Sequence, residues 1–359
     1  MRFYKKLTAI LCAFIFALNF SACNKQNDLY TFTAFNTQII VSVQNNSLSS
    51  KIKNQIKDLA IGLEKEFDTK LDGSFVYTFN NTVANLPLSL SDNALTILNS
   101  AKKAFDLSEG KFDPTVFPLV NLWGFAPYVY TPNFNPPEKT DIESAKNFVD
   151  FSLVNIDGEK KTISKSLDGV KMDLGGIVKG YAADKIANIL SQNGYSTGYV
   201  NVGGSSLNIL NVNKLDIRHP RSTSSAIITV SLNGKSNLSV STSGDYEKFH
   251  LTLDGNKYSH LIDPHTGAPA NTGIASATLI GIDGVMADAL TTALCLYQYF
   301  PSDHDGSPLI KFIHKILSQY PTAKAYIVYA VGQDKLIVTN ADPDKEFTVN
   351  DQSYTTVRL

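Results

Sequence analysis

From Leu153 to the C-terminus, short runs of β-type residues recur at uneven intervals, and helical patterns break them up without a regular strand–helix alternation. Strand runs fall at 163–166, 170–174, 199–202, 226–232, 238–242 and 249–253. A final pair, 325–331 and 335–339, is joined by the hairpin signal Gly332-Gln333-Asp334. Helical spacing is confined to 178–192, 283–296 and 308–318. A doubly wound parallel sheet needs strand and helix in strict alternation, so this order predicts an α+β fold. Upstream, 30–43 reads as one strand. Ile52, Ile56, Leu59, Leu63 and Phe67 mark an amphipathic helix over 51–67, and a second helix over 91–108 opens at Ser91 or Asp92. Pro127, Pro132, Pro136 and Pro137 predict an extended surface loop over 125–138.

The 32 Lys and Arg against 33 Asp and Glu leave a net charge of -1, and 43% of the chain is hydrophobic. A disordered chain would be less apolar and more charged, and a nucleic-acid binder would carry a basic excess. No nucleic-acid partner is expected. Repeated long apolar runs, as in a polytopic membrane protein, are missing from the sequence.

The three cysteines have separate settings. Arg2, Lys5 and Lys6 precede the apolar stretch 7–20, which is too short and wrongly flanked for a membrane span and reads as an export signal. It ends Asn19-Phe20-Ser21-Ala22-Cys23, which resembles a bacterial lipoprotein cleavage box with Phe20 where Leu is usual. The expected organisation is a signal peptide over 1–22, a short linker over 23–29 after a lipidated Cys23, and one domain over 30–359. The product would be held at the extracytoplasmic side of a bacterial membrane. An ordinary signal cut near Ala22 is the alternative. Cys12 leaves with the signal, and Cys295, inside the apolar 293–297, reads as buried packing.

Four segments hold more glycine and carboxylate than packing requires. Asp113 precedes Pro114, so it stands on a rigid extended turn, either as a structural cap or as an acceptor for a ligand. In 172–184, Asp173 leads through Gly175-Gly176 into a helix bearing Lys179; this is an anion cradle or an ordinary strand-to-helix turn. Asn201-Val202-Gly203-Gly204 and Ser241-Thr242-Ser243-Gly244 allow close backbone approach to a ligand, or simply turn the chain. Last come 258–269 and 286–293. Asp288 and Thr292 are four apart on one helix face and, with a loop carbonyl, suit a hard cation such as Mg²⁺; a polar pair on a solvated face is the plainer reading. His260 is a general base or a structural imidazole. Neither HExxH nor a Cys/His cluster is present, so zinc is not indicated.

Taken in order, these motifs resemble the FAD:protein FMN transferase family, the ApbE-type flavin transferases. The resemblance rests on Lys111-Phe112-Asp113-Pro114-Thr115-Val116, Asp173-Leu174-Gly175-Gly176-Ile177-Val178-Lys179-Gly180, Val202-Gly203-Gly204, Ser241-Thr242-Ser243-Gly244, Ser259-His260-Leu261-Ile262-Asp263-Pro264 and Ala287-Asp288-Ala289 with Thr292. It implies a single mixed sheet-and-helix domain of the ApbE-like type that moves FMN from FAD onto a Thr or Ser hydroxyl of an acceptor flavoprotein, releasing AMP. It carries FAD contacts onto Lys111, Phe112, Asp113, Asp173, Lys179 and Ile262. Mg²⁺ ligands fall on the Gly176 carbonyl, Asp288 and Thr292, with Thr291 as a further oxygen, and the base role falls on His260.

The sequence departs from the family pattern at Phe35-Asn36-Thr37, Asp68-Thr69-Lys70, Ser74-Phe75 and Phe117, where the flavin and adenine rings would be gripped. Two rival readings remain: an FAD pyrophosphatase releasing FMN and AMP, and a lipoprotein that binds flavin without turnover.

Overall fold

Nine strands form the central sheet of the chain, and they follow one another across it in the order in which they occur in the sequence. A computed structural model describes residues 27 to 359 apart from 45 and 236. The expected signal over 1–22 and Cys23 lie outside the described residues. The nine strands are Asn27–Ala34, Thr37–Gln44, Gly198–Val202, Ser206–Leu210, Leu238–Gly244, Ile274–Ile280, Lys324–Val331, Asp334–Thr339 and Thr355–Arg358. Neighbours are antiparallel except for the last pair. The first strand takes in residues 27–29, which the sequence reading assigned to the linker.

Eight α-helices are described: α1 (Ser50–Phe67), α2 (Phe75–Asn81), α3 (Asp92–Leu107), α4 (Phe117–Leu122), α5 (Lys139–Lys146), α6 (Val178–Gln192), α7 (Gly284–Leu294) and α8 (Pro308–Gln319). Strand alternation sorts the sheet residues to two faces. Ile39, Val41, Val43, Val200, Val202 and Leu210 pack with Ile52, Ile56 and Ala60 of α1 and Ala183, Ile186, Ala187 and Leu190 of α6. Ala277, Leu279 and Ile327 join α3, α7 and α8 in the largest core cluster. On the opposite face Ile40, Ile209, Val240, Ile280, Tyr326 and Ile337 meet a three-stranded sheet of Lys214–Arg218, Ala226–Ser231 and Phe347–Val349. Helices thus cover one face and a small sheet the other, an α+β arrangement.

Two strand expectations fail for local reasons. The run 30–43 is a hairpin, because Phe35 and Asn36 both take left-handed backbone angles (φ 56° and 54°) and close a two-residue turn. Phe at such an angle is uncommon, which hid the turn. The run 170–174 is extended but gains only one bridge, Lys171 to Val116. Its ladder partner is a side chain instead. Asn80 Oδ1 accepts from Met172 N at 2.7 Å, and Asn80 Nδ2 donates to Met172 O at 3.0 Å. The three short helices α2, α4 and α5 went unforeseen, since seven, six and eight residues give too few turns for a clear period. The 125–138 segment is the expected loop.

Candidate active site

The site is organised by the crossing of α6 and α7. Neither helix has a side-chain cap at its own N-cap residue, Ile177 or Asp283. First-turn amides without partners are costly when buried. Each helix supplies the other's cap. Asp288 Oδ2 of α7 accepts from Gly180 N of α6 at 2.7 Å, and Asp184 Oδ2 of α6 accepts from Gly284 N of α7 at 2.6 Å. The crossing is backbone to backbone: a Cβ added at Gly284 would stand 2.5 Å from the Gly180 carbonyl oxygen, and one at Gly180 would overlap the Gly284 carbonyl. Glycine at both positions is what lets the helices approach so closely.

This contact puts Asp288 over the middle of the sheet, 4% exposed. Its Oδ1 accepts from Ser206 Oγ at 2.6 Å and from Ser241 Oγ. Thr291 donates to the carbonyls of Ala287 and Asp288 at 2.9 and 3.0 Å, and Ser243 Oγ lies 3.0 Å from Thr291 Oγ1 and 3.4 Å from Thr292 Oγ1. Gly176 belongs to the same cluster, since a Cβ there would lie 3.7 Å from Thr292 Oγ1 and 3.4 Å from the Phe112 ring. The structure therefore brings Gly176, Asp288, Thr291 and Thr292 together. One carboxylate among hydroxyls and carbonyls is an all-oxygen set, the chemistry a hard divalent cation prefers. Among the described residues no group of three or more His, Cys, Asp and Glu is placed to hold a metal, so the set rests on hydroxyl and carbonyl oxygens around Asp288.

A basic margin adjoins these oxygens. Asp173 Oδ1 accepts from Gly175 N at 2.7 Å and tightens the double-glycine turn, while Lys179 Nζ folds back onto the Gly175 carbonyl at 2.8 Å. Lys248 lies close enough for Lys179 and Lys70 to repel it. Removal of water by the surrounding protein, then that repulsion, holds its ammonium below the ordinary lysine value, with Asp173 and Glu247 opposing. Glu247 and Lys248 are both solvent-exposed.

His260 Nδ1 lies 3.2 Å from the Lys248 carbonyl, so an Nδ1–H donates there and leaves Nε2 as an acceptor. Desolvation first, and then the charges of Lys248 and Lys179, push its pKa down to about 4. At neutral pH the imidazole is uncharged and able to take a proton.

The remaining expected residues are held by contacts within the protein. Lys111 Nζ pairs with Asp263 Oδ2 at 2.6 Å, a largely buried bridge between two of the motifs. Asp113 is a structural cap: Oδ1 accepts from Thr115 N at 2.7 Å and Thr115 Oγ1 at 2.6 Å, and Oδ2 accepts from Phe151 N at 3.1 Å. Burial outweighs those bonds and raises its pKa to about 6. The Phe112 ring is buried beneath Gly176, and Ile262 sits in a satellite core with Leu119, Trp123 and Phe125. The side chains of Asp113 and Ile262 are thus engaged within the protein. Cys295 is buried at the end of α7, and burial pushes its thiol pKa up, so it is inert packing.

A cavity of about 370 Å³ is lined by Thr69, Lys70, Tyr77, Asn121, Phe117 and Lys171, among others. Three of these occupy the departures noted in the sequence. Ser241 and Asp184 lie in segments singled out above without a role of their own there, and Ser206 and Lys248 carry no sequence signal of their part. The hydroxyl of Ser241 and that of Ser206 meet through cross-strand pairing, which no local pattern announces.

The ApbE family matches residues 34–300. A relative from Haemophilus influenzae, named FAD:protein FMN transferase, is 29% identical over 303 residues, covering 81% of this chain and 87% of its own length. One of the same name from Escherichia coli K12 is 31% identical over 253 residues, covering 68% and 71%. Among solved structures, the flavin transferase ApbE from Vibrio cholerae shares the fold with a TM-score of 0.72 at 23% identity, covering 90% of this chain and 96% of its own. The ApbE protein from Thermotoga maritima also gives 0.72, at 28% identity, covering 85% and 94%. The class so defined is an α+β transferase. The chain belongs to the ApbE family.

Proposed function

We propose that the protein transfers FMN from FAD to the hydroxyl of a Thr or Ser in an acceptor flavoprotein, as a Mg²⁺-dependent enzyme exported and anchored through a lipid on Cys23. The observation that carries the reading is His260, held by the Lys248 carbonyl with Nε2 left as acceptor and within range of the Lys248 and Lys179 charges, Lys179 being bound to the double-glycine turn that adjoins Thr292.

The acceptor oxygen attacks the phosphorus on the flavin side of the pyrophosphate, a new P–O bond forms, and the bond to the bridging oxygen breaks. AMP leaves with that oxygen. His260 Nε2 takes the proton of the attacking hydroxyl and returns it to solvent. Lys179 and Lys248 hold the pyrophosphate by charge, and the Asp173 turn and the start of α6 orient it. Asp288, Thr292 and the Gly176 carbonyl are the residues that would hold Mg²⁺, which supplies charge neutralisation on the phosphates.

The direct test mixes purified protein, FAD, Mg²⁺ and a candidate acceptor and looks by mass spectrometry for an FMN adduct on Thr or Ser. If a known transferase labels that acceptor and this protein does not, the reading fails. His260 retains water access, so hydrolysis to FMN and AMP competes; AMP released without acceptor measures it. His260→Gln is expected to slow transfer about 10²- to 10⁴-fold, the usual worth of a positioned base. Because its pKa is depressed, the neutral form persists as pH falls, and the acid limb of kcat/KM should lie near 4 and not near 6.5. An acid limb at 6.5 that persists unchanged in His260→Gln would remove His260 from the base role.

A further inference from the structure

The Ser206–Leu210 and Leu238–Gly244 strands are paired so that Ser241 faces Ser206 and, two residues along each strand, Ser239 faces Asn208. Each facing pair holds one carboxylate. Ser206 and Ser241 donate to Asp288 Oδ1, while Ser239 Oγ at 2.6 Å and Asn208 Nδ2 at 2.9 Å donate to Asp184 Oδ1. The other oxygen of each aspartate caps the opposite helix, Asp288 at Gly180 and Asp184 at Gly284. In each helix the capped glycine precedes the aspartate by four residues. The two halves of the crossing are related by a local two-fold.

They differ in what surrounds the carboxylate. Asp288 is followed by Thr291 and Thr292, whereas the matching positions after Asp184 are Ala187 and Asn188, so only the Asp288 half offers the hydroxyl set of a cation site.

We propose that Asp184 is a positioning residue: by gripping Gly284 N and the Ser239–Asn208 pair it fixes the start of α7, and with it the placement of Asp288 about one turn further on and Thr292 about two. The proposal rests on the assignment of Asp288 as a Mg²⁺ ligand. A free Gly284 amide would let the first turn of α7 fray, and groups that orient a metal ligand typically govern affinity by about 10- to 100-fold. Asparagine can stand in for Asp184. Its Oδ1 can still accept from Gly284 N, and its Nδ2 can donate to Asn208 Oδ1, a buried oxygen that has no partner among the described residues.

The experiment measures Mn²⁺ binding by electron paramagnetic resonance on the full domain as native protein, Asp184→Ala, Asp184→Asn, Ser239→Ala and Asp288→Ala, alongside the Mg²⁺ dependence of transfer. Asp184→Ala should bind Mn²⁺ about tenfold or more weakly, with kcat at saturating Mg²⁺ largely kept, and Asp184→Asn should stay within about threefold of native. Native-like Mn²⁺ binding in Asp184→Ala, with binding lost in Asp288→Ala, would overturn the positioning role and leave the metal assignment standing. Native-like binding in Asp288→Ala would overturn the metal assignment itself. If Asp184→Ala does not fold, Ser239→Ala decides: weaker Mn²⁺ binding supports the role, and unchanged binding overturns it.

Discussion

Asp288→Ala is expected to reduce FMN transfer by about a thousandfold or more, the rate equivalent of the several kcal/mol that a cation contributes to a phosphoryl-transfer transition state. Its carboxylate stands beside the hydroxyls of Thr291 and Thr292, where alanine leaves no charged oxygen to hold a cation. The variant also strands Gly180 N, Ser206 and Ser241, all of which donate to Asp288, so a stability loss of about 1–2 kcal/mol should accompany the loss of rate. The two effects separate experimentally. Chelation of the native protein by EDTA should abolish transfer without removing those hydrogen-bond partners, and added Mg²⁺ should restore it; in Asp288→Ala, added Mg²⁺ should not. Native turnover that is equal with and without EDTA would sink the metal assignment.

Gly180→Ala should be the more damaging change to the fold. The added methyl would overlap the carbonyl of Gly284, a backbone group that cannot swing aside as a side-chain end would. Overpacking of a tight contact costs about 1–3 kcal/mol, and with backbone on both sides about 3 kcal/mol is the expectation. Parting the helices also withdraws Asp288 from Gly180 N, so transfer should fall with stability. Alanine elsewhere on α6, at solvent-facing Asn188, provides the control. A urea midpoint for Gly180→Ala equal to that of the control would show that the crossing is looser than described.

The long elements were legible because several turns of period and a cap agree. α1, α3, α6 and α8 fall within one or two residues of the expected bounds, with Ser91 capping α3 through Ala94 N. The Lys324–Val331 and Asp334–Thr339 hairpin announced itself through Gly332. Some local pairs could be read as well: Asp288 with Thr292 and Asp173 with its glycines lie together as their spacing suggests. Their partners could not. Gly180 with Asp184, and Gly284 with Asp288, each read as an ordinary four-residue spacing, and only the crossing reveals that each aspartate serves the other's glycine. Lys248 is twelve residues from His260 in the chain and reaches it through the pairing of Phe249–Leu251 with Lys257–Ser259, a register that no single segment encodes. Asp113 was ambiguous from the start, and what resolved it was Phe151 N, thirty-eight residues away.

The strand Leu238–Gly244, on which Ser239 and Ser241 stand, is the fifth of nine in the sheet. Four strands insulate it on either side, so fraying, insertion or docking at an outer strand leaves its register untouched. The Asp288 cluster is thereby uncoupled from the outer strands. The Asp288–Thr292 cluster keeps its place against Ser206, Ser241 and Ser243 whatever the outermost strands do, while His260 and Lys248 stand on the separate hairpin of Phe249–Leu251 and Lys257–Ser259 and can shift with it.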